Sequence, residues 1–85
     1  MKKTIKLEKI VDAIRFVKLA GKVNGSVSLS NNNGYKTDGK SLLGVFDIAA
    51  NSVMDVEYPE DANADFDRFL QQLEFASANF ISDVN

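Results

Sequence analysis

The chain has 85 residues, 45% apolar and 26% charged, with one proline; at this length only about 60% of the unfolded surface can be buried, so one thin-cored globular domain spanning residues 1–85 is expected. It holds no cysteine and no histidine, which excludes a disulfide-stapled extracellular fold, thiolate and zinc-thiolate chemistry, and imidazole-based acid/base or phosphoryl relay. The net charge of -2 hides an asymmetry, because residues 1–40 hold nine basic groups against three acidic ones and residues 41–85 hold one against nine.

The opening "MKKTIKLEKIVDAIRF" starts like the charged flank of a secretory signal, but Lys6, Glu8, Lys9 and Asp12 interrupt any apolar core. No segment has the uncharged apolar length that spans a bilayer, so no membrane is expected as a partner. Absent cysteine suits a reducing cytoplasm.

"KKTIKL" alternates, with Ile5 and Leu7 on one side, and predicts a half-buried strand. The next stretch has helical spacing: Ile10, Ala13, Ile14, Phe16, Val17 and Ala20 are expected on the buried arc, with Val11, Asp12, Arg15, Lys18, Leu19 and Lys22 opposite. Gly21 or Gly25 ends it. "SVSLS" alternates again with Val27 and Leu29 inward, and Asn33-Gly34 suits a tight hairpin into the return strand "YKTD".

In "GKSLLGVFDIAA" the hydroxyl of Ser41 precedes an apolar run, so it is expected to cap a short helix by accepting a free backbone N–H of the first turn. "VMDVEY" alternates with Met54, Val56 and Tyr58 on one face, and Pro59 stops that strand. A last helix follows from Asp61 or Asn63 as cap, with Phe66, Phe69, Leu70, Leu73 and Ala76 as its apolar stripe. Residues 78–85 extend it or dock loosely through Phe80 and Ile81. The order β-α-β-β-α-β-α describes an α+β open-faced sandwich, a four-stranded antiparallel sheet with helices on one face.

The run Lys40-Ser41-Leu42-Leu43-Gly44-Val45, followed by Ile48-Ala49, resembles the regulatory-serine segment of HPr, the phosphocarrier of the bacterial sugar phosphotransferase system. "GKVNGSVSL" is similar to that family's helix-to-strand passage, and the likeness in element order runs from about Val17 to Phe69. The resemblance implies the same open-faced fold. In the family a histidine before the first helix carries the phosphoryl group, followed by an arginine and a proline; counted back without gaps, Lys9, Val11 and Asp12 stand at those positions. A lysine is an ammonium at neutral pH and cannot attack a phosphoryl donor, so histidine phosphotransfer is not expected.

The serine context is retained. In the family the matching serine is phosphorylated by a dedicated kinase, and the surface of the first two helices docks onto phosphotransferase enzymes, the kinase or a transcription regulator. The resemblance therefore implies Ser41 as a regulatory phosphorylation site and Leu42, Leu43 and Phe46 as apolar contacts. The plain reading of Ser41 is a neutral helix cap, and that of the three apolar residues is a roof over the sheet; a helix of two or three turns, however, cannot bury all of them.

Val11, Arg15, Lys18, Leu19 and Lys22 read plainly as a solvated helix face. Two apolar groups among three cations also suit an acidic, partly apolar protein partner. Nucleic acid is not expected, because the basic residues are not interleaved with aromatics. Asp55, Glu57, Glu60, Asp61, Asp65 and Asp67 lack the spacing of a calcium loop and serve solubility and helix capping. No catalytic residue, cofactor or metal is expected, and an enzyme is the least favoured class. The alternative to a regulatory docking protein is a structural or interaction module, assembled as a homo-oligomer through a free sheet edge or through Phe75, Phe80 and Ile81, using the fold for unrelated work.

Overall fold

A computed structural model describes residues 1–49 and 53–74. The expectations for Phe75, Ala76, Phe80, Ile81 and residues 78–85 lie outside the described residues. The elements run β1 (Lys2–Lys6), α1 (Ile10–Ala20), β2 (Ser28–Asn31), β3 (Lys36–Asp38), α2 (Leu42–Ile48), β4 (Val53–Glu57) and α3 (Ala64–Leu73). This is the expected α+β open-faced order.

The four strands form one antiparallel sheet in the order β1-β4-β2-β3. Alternation along each strand divides the residues between two faces. On the covered face Ile5 lies opposite Met54 and Leu29 opposite Val56, all four buried. On the open face Thr4 and Ser30 flank Asp55, while Lys2 and Ser28 flank Glu57. Asp55 is satisfied there by the Thr4 hydroxyl, which donates to Oδ1 at 2.8 Å, and by the Lys2 ammonium 3.8 Å from Oδ2.

The helix α1 packs against both α2 and α3. Its buried residues are Ala13, Phe16 and Ala20. Phe66 of α3 completes the core by meeting Phe16 and Tyr58 edge-on, with ring centroids 5.6 and 5.5 Å apart.

Three expectations for α1 are corrected. Ile10 and Ile14 are exposed, not buried, and Leu19 packs partly against the core instead of standing with the cations. The physical reason is rotational: at about 100° per residue, Ile14 stands about 160° round from Phe16, and Leu19 only about 60°. Val11, Arg15, Lys18 and Lys22 remain on the exposed side.

The β2–β3 connection also differs from a two-residue hairpin. Asn31 N–H donates to the Tyr35 carbonyl at 2.9 Å, and Gly34 N–H donates to the Asn31 carbonyl at 3.2 Å, so Asn32–Gly34 form a three-residue loop. Gly34 has φ 88°, the left-handed conformation that such loops place on a glycine. The Asn31 side chain steadies the loop by accepting the N–H groups of Asn33 and Tyr35.

At the other end of the chain Asn63, not Asp61, caps α3, its Oδ1 accepting the Phe66 N–H at 2.8 Å. Asp65 and Asp67 lie in the first turn, where carboxylates favour the helix dipole. No described helix is long and apolar enough to cross a membrane.

Candidate functional site

Ser41 follows a turn that fixes its position before the helix begins. Asp38 Oδ1 accepts the Lys40 N–H at 2.9 Å, the Asp38 carbonyl accepts the Ser41 N–H at 3.1 Å, and Lys40 Nζ donates to the Val23 carbonyl at 2.9 Å. Ser41 therefore enters α2 in an extended conformation and its Oγ accepts the Gly44 N–H at 3.2 Å. The hydroxyl is half-buried and acts as a helix cap, as its place before the apolar run predicts.

The helix has only seven residues, and two of them, Val45 and Ile48, face the core. The remaining apolar side chains have nowhere to go but outward: Leu43 is 78% exposed, Leu42 40% and Phe46 38%. Across from them, α1 exposes Ile10 at 71% and Val11 at 63%. Phe46 and Ile10 come together at a small open cleft of about 190 Å³, which Ala13 and Ala49 floor and Glu8 and Lys9 rim. The exposed apolar residues of the two adjacent helices thus meet at Ile10 and Phe46.

Lys9 sits at the start of α1. Its carbonyl accepts the N–H groups of Asp12 and Ala13 at 3.1 and 3.3 Å, but its side chain makes no capping bond. Strand β1 ends at Lys6, so only three residues separate it from the helix. An ammonium at the positive end of the helix dipole is the reverse of the charge that this position favours.

Arg15, Lys18 and Lys22 are exposed, and the ion pairs among the described residues, Lys2–Asp55 and Lys6–Glu8, involve none of them. The carboxylates of the C-terminal half are used otherwise. Asp67 accepts the Tyr58 hydroxyl at 3.0 Å. Burial, together with that hydrogen bond and the negative charges of Asp67 and Glu74, pushes the Tyr58 phenol up to about 12. Among the described residues no group of three or more acidic side chains gathers as a metal site would require.

Ser41 lies at the start of α2, and Leu42, Leu43 and Phe46 on its exposed surface, while Ile10 and Ile14 are surface residues that the sequence reading put in the core. The signal was present in their angular distance from Phe16. The Lys40 contact with Val23 had no signal, since a long side chain reaching a carbonyl 17 residues away leaves no spacing to read.

No family model matches the chain, and no curated protein matches it. Solved structures do. HPr-C-His from Thermoanaerobacter tengcongensis superposes with a TM-score of 0.66 at 19% identity, over 85% of this chain and 88% of that one. The phosphocarrier protein HPr from Bacillus anthracis str. Ames superposes with a TM-score of 0.62 at 17% identity, over 87% of this chain and 96% of that one. At such identities it is the backbone path that is alike: the chain has the fold of the HPr phosphocarrier proteins.

Proposed function

We propose that the chain is a regulatory docking protein with an HPr-like fold that does not itself carry phosphoryl groups. It presents α1 and α2 to protein partners in a bacterial cytoplasm, the partners being phosphotransferase components, an HPr kinase or a transcription regulator. Ser41 is the switch. The observation that carries the reading is the cleft at which exposed Ile10 of α1 meets exposed Phe46 of α2 beside Lys9, with Val11, Leu42 and Leu43 also exposed on the same two helices.

Contiguous exposed apolar side chains on a small fold mark an interaction surface. The neighbouring Arg15, Lys18 and Lys22 add positive potential, which speeds encounter with an acidic partner. A phosphate on Ser41 would add about -1.5 to -2 charges beside Leu42 and Leu43. Such a group opposes an acidic partner and favours a basic one, so modification would exchange one partner for another rather than unfold the helix.

Two reactions test the proposal. Incubation with an HPr kinase and ATP is expected to modify the wild type and not Ser41→Ala. Incubation with phosphoenolpyruvate and the enzyme that charges HPr is expected to give no acid-labile phosphorylated species. Transfer in the second reaction overturns the loss of carrier activity, and a Ser41 left unmodified in the first removes the switch. A concentration-dependent dimer by light scattering, with no affinity for phosphotransferase proteins, would favour the structural module instead.

A further inference from the structure

No further inference is drawn: the strongest candidate, the open groove of about 610 Å³ where β2 and β3 meet the Gly25–Ser28 segment, sets Lys36 and Lys40 beside the opposing carboxylate of Asp38, and nothing in the structure shows what fills it.

Discussion

Gly44 of α2 and Thr37 of β3 approach so closely that a methyl group on Gly44 would run into the Thr37 hydroxyl, with the Thr37 Cβ only 3.2 Å from it. The short helix thus rests on the edge strand through bare backbone. Replacing a helical glycine by alanine ordinarily gains about 0.5–1 kcal/mol, whereas overpacking costs typically about 1–3 kcal/mol. The clash should win. Gly44→Ala is expected to lower stability by about 1–2 kcal/mol in urea unfolding, and Thr37→Ala in the same chain should recover most of that loss. A loss that the second substitution leaves unchanged would show that Thr37 is not the obstacle.

The cap at Ser41 has its own cost. Ser41→Ala leaves the Gly44 N–H without its acceptor and should destabilise by about 1 kcal/mol. Ser41→Asp keeps an acceptor oxygen and adds a charge that suits a helix start, so its loss should be less than about half as large. Denaturation midpoints of the two variants check the order; equal losses would mean that the hydroxyl is not acting as a cap.

Phe66 and Leu43 provide a contrast between core and surface. Phe66 is fully buried between Phe16 and Tyr58, and Phe66→Ala should cost about 3–5 kcal/mol, a large part of the roughly 5–15 kcal/mol that holds a native protein together. Leu43→Asp touches little and should stay within about 0.5 kcal/mol of the parent. On the proposed function, however, it abolishes partner binding. A Leu43→Asp protein that folds normally and still binds would place the docking surface elsewhere.

Tyr58 gives the fold a limit on the alkaline side. Its phenol is held neutral up to about 12, against 10 for an ordinary tyrosine. The folded value is the raised one, so the native state binds this proton more tightly than the unfolded chain does. The stabilisation is complete below pH 10 and is lost as pH rises through about 12. Ultraviolet titration of a Tyr35→Phe protein, which leaves Tyr58 as the sole phenol, should show that midpoint. Asp67→Asn removes the negative charge facing the hydroxyl and should move the midpoint down; an unmoved midpoint would leave burial and the charge of Glu74 as the causes.

Local patterns were written plainly in the chain. The alternation of Met54, Val56 and Tyr58, the hydroxyl before Leu42, and the amide of Asn63 before a run of helix formers each concern neighbours in sequence, and each appears in the structure. The helix α1 was read less well because its apolar arc was drawn too wide around Phe16. Ile14 stands about 160° from Phe16 and is exposed, whereas Leu19 stands about 60° from it and packs partly against the core. Counting inward positions on so short a helix required only that at least one of Leu42 and Phe46 stay exposed, and both do, together with Leu43. The meeting of Phe46 with Ile10 was not legible, because it required the placement of one helix against another.

Because β4 lies between β1 and β2, Lys2 finds its partner in Glu57 and Thr4 in Asp55, across most of the chain. A ribosome emitting this protein would therefore release the first strand long before there was anything for it to pair with. Pairing of β1 must wait for the segment at residues 53–57, since loop-closure entropy has to be met before such distant contacts repay it. Cutting the gene short of β4 would then yield three strands, of which β2 and β3 can pair with each other while β1 has no neighbour.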